Sequence, residues 1–309
     1  MQYMSKIQVN KLYTLTGHND SIFALVEGND PQFFFTGAGD GMVVKWDLAH
    51  PKDGKLIAKL PNSVYALEVD ASRNLLFIGH NFEGIHVIDL NTNKEIWSLK
   101  ITDAAIFDIK SHEGRLYVGT GDGVITVLDI EERSLLKHIK LGDENIRVLD
   151  VHAAKGHLAV GASDHTVKIL DLKTYAPVSK MEGHTNSVFA LRYSPDGNLL
   201  ISGGRDAHLK IWDAKEYQPV EDIVAHMYAI NYLAFREDGK YFVTCSMDKS
   251  IKLWETETFH LRKVIDKSRH AGHGTSVNKV IWSRYSQQVV AVSDDRTVSI
   301  WDIALDEHL

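Results

Sequence analysis

The stretch GHTNSVFALRYSPDGNLLISGGRDAHLKIWD, residues 183–213, decides the fold of this chain of 309 residues. It begins with a Gly-His pair, ends with a Trp-Asp pair and contains three short runs rich in aliphatic and aromatic residues. The turn sequences Ser-Pro-Asp-Gly and Gly-Arg-Asp-Ala separate these runs. Short apolar runs between such turns are typical of β-strands. We predict strands at residues 187–193, 198–203 and 208–213, and a fourth near residues 218–224.

The closing Trp-Asp pair recurs along the chain about every forty residues. Each recurrence has Trp, Ile or Leu at the closing position, and the next residue is Asp in every unit but one, where it is Glu255. A unit of this size cannot bury its apolar side chains alone, so neighbouring units must stack on one another. The pattern therefore predicts seven similar units of β-strands. Their closing positions are Trp46, Ile88, Leu128, Leu170, Trp212, Trp254 and Trp301.

Two further motifs keep the same register. Gly-His pairs stand at residues 17–18, 183–184 and 272–273, with Ala225-His226 as a near match. An Asp precedes the closing position by six residues in six units, at Asp40, Asp122, Asp164, Asp206, Asp248 and Asp295. Through these three motifs the chain resembles the WD-repeat family over essentially its whole length. The resemblance implies an all-β fold, a seven-bladed β-propeller of four-stranded antiparallel blades.

The resemblance also implies one domain over residues 1–309, with blade repeats that end near residues 47, 89, 129, 171, 213, 255 and 302. The seventh blade then lacks a fourth strand after Trp301-Asp302, and the segment Ile7 to Thr16 resembles that strand. We expect residues 1–16 to pair into the last blade and to close the ring. Closure removes the exposed sheet edges that promote aggregation.

Three units carry a His, a hydroxyl residue, an Asp and a Trp at matching offsets. His, Asp and a hydroxyl are also the parts of a nucleophilic triad, but an enzyme rarely needs three equivalent triads around a ring. In WD-repeat proteins these side chains form a buried hydrogen-bond relay from indole to hydroxyl to imidazole to carboxylate. We expect structural relays at His18, Thr36, Asp40 and Trp46, at His184, Ser202, Asp206 and Trp212, and at His226, Thr244, Asp248 and Trp254.

Several classes of function are disfavoured. A net charge of −7 lacks the basic surface that nucleic-acid binding needs. The glycine-rich segments 37–41 and 119–123 are each followed by a predicted strand, whereas a dinucleotide-binding loop precedes a helix. His270 and His273 are three residues apart, but His273 already belongs to a Gly-His motif. We expect no catalytic residue, no metal and no cofactor.

The chain has one cysteine, Cys245, so an intrachain disulfide is impossible. Residues 1–11 lack the apolar core of a signal peptide, and no apolar run reaches the length of a membrane span. We therefore expect a cytoplasmic protein that is monomeric by itself and has neither membrane nor nucleic acid as a partner.

Function in a repeat protein is expected where the units differ. One such position lies near the start of each innermost strand, and it resembles a position that faces the top of the channel and contacts partners in WD-repeat proteins. Aromatic residues and Arg are enriched at binding hot spots; the alternative is that the aromatics pack between blades as core. The seven residues are Phe23, Tyr65, Phe107, Arg147, Phe189, Asn231 and Asn278. Arg205 and Met247, each just before a structural Asp, are expected to share this surface.

A second departure is an insertion of five residues before the last Gly-His pair, within residues 266–271. We place this basic loop on the top face beside the channel mouth, with Lys267 and Arg269 as candidate partner-binding residues. The alternative is a tolerated surface insertion.

These observations predict a non-catalytic scaffold for protein–protein interaction that binds a peptide or protein partner on the top face. Two alternatives belong to other classes. The first is a small-ligand-binding or enzymatic propeller that uses the central channel. The second is a structural subunit of a larger complex.

Overall fold

The computed structural model describes residues 7–305, which form seven sheets of four antiparallel strands each. In chain order the strands are β1 Gln8–Thr16, β2 Ile22–Glu27, β3 Phe33–Ala38, β4 Met42–Asp47, β5 Lys55–Lys59, β6 Val64–Asp70, β7 Leu75–His80, β8 Gly84–Asp89, β9 Lys94–Lys100, β10 Ile106–His112, β11 Arg115–Thr120, β12 Val124–Asp129, β13 Ser134–Lys140, β14 Ile146–His152, β15 His157–Ala162, β16 Val167–Asp171, β17 Pro177–Met181, β18 Val188–Tyr193, β19 Leu199–Gly204, β20 His208–Asp213, β21 Pro219–Val224, β22 Ile230–Phe235, β23 Tyr241–Ser246, β24 Ile251–Glu255, β25 Leu261–Ile265, β26 Val277–Trp282, β27 Val289–Ser293 and β28 Thr297–Ala304. A 3₁₀ turn at Ala153–Lys155 and a helix α1 at Lys267–His270 complete the elements.

Blades one to six each consist of four consecutive strands, whereas the seventh combines β26, β27 and β28 with β1 from the other end of the chain. β1 runs antiparallel to β28 from the pair Gln8–Ala304 to the pair Thr16–Thr297. Leu15 in β1 is buried with Val298 and Ile300 of β28. The predictions of an all-β, seven-bladed propeller and of closure by the N-terminal strand are both confirmed.

The apolar core lies between neighbouring blades. The second strand of a blade, such as β19, is buried on both faces, while the outermost strand, such as β21, is largely exposed. One core cluster joins Phe34 and Trp46 of blade one to residues of blade seven, including Val290. Each blade therefore covers the apolar face of the next, as the period of the sequence requires.

The antiparallel order fixes which connections share a face. The start of each innermost strand, the turn between the second and third strands, and the loop that leads into each blade lie on one face, which we call the top face. In the second-to-third-strand turns, Gly41 and Gly123 have φ angles of +75° and +77°, which favour glycine. A strand follows each of these glycines, β4 and β12 respectively.

The His, hydroxyl, Asp and Trp side chains of blade one lie in one continuous hydrogen-bond chain. The indole Nε1 of Trp46 donates to Thr36 Oγ1 at 2.8 Å, and His18 Nε2 lies 2.8 Å from the same hydroxyl. His18 Nδ1 lies 3.3 Å from Asp40. All the corresponding distances in blades five and six are between 2.7 and 2.9 Å. Because these groups are buried, each hydrogen bond offsets the cost of removing its partners from water.

The carboxylates of these chains are held ionised. Burial alone would raise the pKa of Asp206, but the hydrogen bond and electrostatic attraction to His184 and hydrogen bonds from nearby backbone N–H groups lower it to about 2. Asp248 has the same arrangement with His226, and its pKa is also lowered. The carboxylate is thus the fixed acceptor at the end of each chain.

Blade seven contains an incomplete chain. His273 Nδ1 lies 2.9 Å from Asp295, but Ala291 occupies the position that holds a hydroxyl in blades one, five and six. Within residues 7–305, His273 Nε2 and Trp301 Nε1 are buried without a hydrogen-bond partner. Blades two to four have Ile88, Leu128 and Leu170 at the closing position, and all three are buried in apolar clusters.

We predict that deletion of residues 1–14 lowers the melting temperature by about 10 °C or more, since it removes most of the strand that closes the ring. Deletion of residues 1–6 is the control, because it leaves β1 intact. The milder substitution Leu15→Ala should destabilise the fold by about 2–5 kcal/mol, as expected for a buried leucine. Thermal and urea denaturation measure both effects, and an unchanged melt of the longer deletion would contradict closure.

We predict that Ala291→Thr is more stable than Ala291→Val by about 1 kcal/mol, because the added hydroxyl gives Trp301 Nε1 and His273 Nε2 their missing partner. Thr and Val have nearly the same shape, so the comparison removes the steric cost of filling a packed site. Urea denaturation of the two variants measures the difference. Equal stability, or a more stable Val variant, would show that a hydroxyl at this position does not complete the hydrogen-bond chain of blade seven.

Candidate functional site

Seven side chains, one from each blade, meet at the top-face end of the central channel. We call this group the mouth ring: Phe23, Tyr65, Phe107, Arg147, Phe189, Asn231 and Asn278. In every blade the register between the first and second strands shifts at this residue, as between Ile22 and Ala24 around Phe23. Such a bulge redirects the side chain of the extra residue. Seven equivalent bulges thus bring seven side chains of four residue types to one place.

Five members of the mouth ring contact one another in sequence around the channel. The rings of Phe23 and Tyr65 meet edge to face with centroids 4.8 Å apart, and Tyr65 stacks on Phe107 at 6.0 Å. The guanidinium of Arg147 lies 4.2 Å from the centroid of Phe107 and 5.5 Å from that of Phe189. All five are half-buried and none belongs to an apolar core cluster. The aromatics therefore line the channel mouth instead of filling the space between blades.

The two Asn residues tie blades together. Asn231 Nδ2 donates to the carbonyl of Val277 at 2.9 Å, so it joins blade six to blade seven. Asn278 Nδ2 donates to the carbonyl of Ile22 at 2.9 Å and to Asp294 at 2.7 Å, so it joins blade seven to blade one. Because these amide groups already form hydrogen bonds between blades, the aromatic residues and Arg147 are the part of the mouth ring that is more available to a ligand.

The mouth ring encloses a cavity of about 330 Å³, and deeper residues complete its lining: Asp108, Val148, Tyr232 and Lys279. These four residues were not predicted from the sequence. Each follows a mouth-ring residue directly, at a position where blades one, two and five have Ala. Two of the four, Asp108 and Lys279, are charged residues within an innermost strand, and this unusual placement is the sequence signal that could have identified them.

The charged side chains lower in the channel form ion pairs. Lys110 Nζ lies 3.2 Å from Glu68, and Arg192 Nη1 lies 2.8 Å from Asp150. Asp108 accepts a hydrogen bond from the backbone of Leu149 at 2.9 Å. Lys279, in contrast, is only 7% exposed, and its Nζ lies 4.9 Å from the ring of Tyr232.

Beside the cavity, the top face of blade six carries exposed apolar side chains. Met227 is 81% exposed, Tyr228 is 60% exposed and Met247 is 50% exposed. A hydrogen bond from Met247 N to the carbonyl of Ala229 places the two segments side by side. Met247 was a candidate from the sequence, whereas Met227 and Tyr228 were missed because their exposure depends on a loop conformation that no motif specifies. We call these three residues the blade-six patch.

Arg205 and the basic insertion lie at different places on this face. Arg205 is exposed. Burial lowers the pKa of the Arg147 guanidinium, and the positive charge of Arg205 lowers it further, so the two cations are close. Lys267 and Arg269 are exposed on α1, whose N-cap Asp266 accepts from Arg269 N. Lys11 of β1 donates to the carbonyl of Ala271, so the insertion contacts the outermost strand of blade seven. Neither Lys267 nor Arg269 lines the cavity, and their role in binding a partner stays a prediction.

Residues 7–305 contain no cluster of three or more His, Cys, Asp or Glu side chains suited to a metal ion. In the same part of the chain, no helix has the length and apolar character needed to cross a membrane. In blade two, His80 Nδ1 lies 3.2 Å from His86 Nε2, and His86 Nδ1 lies 3.1 Å from the Glu95 carboxylate.

Comparison with protein families agrees with the geometry. The family model described as WD domain, G-beta repeat, matches residues 9–47, 175–213, 217–255 and 266–302. Each segment ends one residue after a closing position, in blades one, five, six and seven. These are the four blades that keep a His before the first strand. No curated protein matches the chain. The matched repeats and the seven four-stranded blades identify the chain as a WD-repeat protein folded as a seven-bladed β-propeller.

Proposed function

We propose that this protein is a non-catalytic interaction scaffold that binds a peptide or protein partner on its top face, at the mouth ring. The single observation that carries the proposal is the cavity to which every blade contributes one side chain at an equivalent position, with four residue types among the seven. A structural repeat needs no such variety, since the positions that hold the blades together are similar from unit to unit. Half-buried aromatics and an Arg between them are the side chains that dominate binding energy at interfaces.

The surroundings of the cavity support a peptide or protein as the ligand. The blade-six patch adds exposed Met and Tyr side chains beside the cavity, and Arg205 adds a charge. Exposed apolar side chains grouped at a cavity edge are typical of interaction surfaces. We further propose that the protein acts in the cytoplasm and is monomeric by itself, as its single, buried cysteine supports.

A small-ligand function is the second candidate, and one observation favours it. The cavity of about 330 Å³ is within the usual range of small-molecule pockets, roughly 300–1,000 Å³, and it has a Lys at its floor. A tight small ligand would raise the melting temperature by mass action, so a thermal-shift screen with metabolites separates the two candidates.

We predict that Phe23→Ala and Arg147→Ala each weaken capture of the partner about tenfold or more, which corresponds to roughly 1.4 kcal/mol. The reason is that both side chains lie at the centre of the surface, half-buried but outside the core. Quantitative affinity purification from the native source measures capture, and thermal denaturation should give nearly unchanged melting temperatures.

The matched control is Lys173→Ala. Lys173 is exposed in the turn between the third and fourth strands of blade four, on the face opposite the mouth ring. This variant should retain full capture. If the two mouth-ring variants unfold, or if they retain the partner as Lys173→Ala does, the mouth ring is not the binding surface.

A further inference from the structure

We propose that the cavity inside the mouth ring receives an acidic side chain of the partner, whose carboxylate pairs with Lys279 at the cavity floor and with Arg147 at its rim. The proposal deepens the proposed function and rests on it, since it names the chemistry that the binding surface recognises. The ligand is a segment of polypeptide with a Glu or Asp that points into the channel.

Lys279 is the first observation. Its side chain is 7% exposed and lines the cavity, and among residues 7 to 305 no hydrogen bond or close ion pair engages its Nζ; the carboxylates of Asp108 and Glu68 act on it only from a longer distance. Its one close contact is the ring of Tyr232, 4.9 Å from Nζ. Burying an ammonium group without a partner is costly, and buried charges in proteins are normally paired. The protein therefore holds a cation where an anion from outside would complete the pair.

The other channel charges show that this arrangement is specific to Lys279. Glu68 and Lys110 form one ion pair, and Asp150 and Arg192 form another. The carboxylate of Asp108 is buried and engaged by the backbone N–H of Leu149. Among the channel charges described, Lys279 is the cation without a carboxylate at ion-pair distance, although Asp108 lines the same cavity.

A second and a third cation lie above Lys279 on an otherwise acidic protein. Arg147 donates from Nε to Ser163 at 2.9 Å and is held between Phe107 and Phe189, so its position is fixed. Within the described residues neither Arg147 nor the nearby Arg205 forms an ion pair with a carboxylate. The net charge of the chain is −7, so these cations make the mouth locally attractive to an anion.

The shape of the site favours an acidic side chain over a free anion. Aromatic walls suit the methylene groups of Glu or Asp, while the cations suit the carboxylate. The blade-six patch lies outside the cavity, where the neighbouring residues of an inserted segment would rest. A small inorganic anion would leave both the aromatic walls and the patch uncovered.

The titration of Lys279 gives an additional readout. Burial lowers its pKa to about 8; Asp108 and Glu68 act to raise it, and Lys110 and Arg192 act to lower it. Lys279 thus loses its charge between pH 7 and pH 9, while the acidic side chain of the ligand stays ionised. Binding should weaken over that interval.

The experiment selects peptides from a display library of random twelve-residue segments placed between constant flanking sequences, so that the segments have no free ends. Full-length wild-type protein, Lys279→Met and Lys173→Met serve as targets. The last variant makes the same change of charge on the opposite face. We expect wild type and Lys173→Met to enrich Glu or Asp at one position, and Lys279→Met to lose that enrichment.

A selected peptide and its Glu→Gln or Asp→Asn form then give a double-mutant cycle. On wild type the amide form should bind about tenfold more weakly or worse, and on Lys279→Met the two forms should bind alike. Binding of the acidic form to wild type should fall from pH 7 to pH 9, and this fall should be absent in Lys279→Met. Because the substitution removes an unpaired buried charge, Lys279→Met should melt at the wild-type temperature or above it. If Lys279→Met does not fold, the comparison of the acidic and amide peptides on wild type still tests whether the site recognises a carboxylate.

The outcomes distinguish the two proposals. Peptides that bind wild type without acidic enrichment, or an acid-to-amide effect of equal size on Lys279→Met, would overturn the acidic ligand and leave the binding function standing. A second library with free C-termini tests the other carboxylate: acidic preference confined to chain ends would overturn the side-chain assignment. If wild type enriches no peptide over the bare support, the proposed function itself is wrong.

Discussion

The pairing of β1 with β28 is the interaction on which the rest of the molecule depends. Each blade covers its apolar face with the next blade, so a row of seven would leave two apolar faces uncovered. The N-terminal strand completes the seventh sheet and closes the ring, and it buries Leu15 where blades seven and one meet. Once the ring is closed, the seven inner strands converge, and their bulged residues must share the mouth of one channel.

Much of this architecture was readable from the sequence because the repeat sets it. Trp46, Trp212 and Trp254 recur with a His, a hydroxyl and an Asp at fixed offsets, and the strands lie within a residue or two of their predicted ranges. The mouth-ring positions were predicted from register together with the resemblance to WD-repeat proteins. Register could not say how the ring side chains behave, however. That Asn278 ties blade seven to blade one, whereas Arg147 is sandwiched by aromatics, depends on neighbours contributed by other blades.

The deeper cavity-lining residues could not be predicted from the sequence because they come from distant parts of the chain. Lys279 and Asp108 are 171 residues apart in the chain, and only the curvature of the closed ring brings blades seven and three to one cavity. The course of the insertion could not be predicted from the repeat. Its length was readable, but Asp266 caps a short helix and Lys11 holds Ala271, so the extra residues lie against the outermost strand. Local hydrogen bonds, which the repeat does not encode, decided the position.

The molecule separates stability from recognition. Repeated polar side chains such as Ser202 are fully satisfied in buried hydrogen-bond chains, while the one ammonium at the cavity floor is not. A structure of the protein with a selected acidic peptide tests this account most directly. The account predicts a carboxylate oxygen within about 2.7–3.2 Å of Lys279 Nζ, with the peptide backbone crossing the mouth ring. A peptide bound on the opposite face or along the outer strands, with the cavity unfilled, would contradict it.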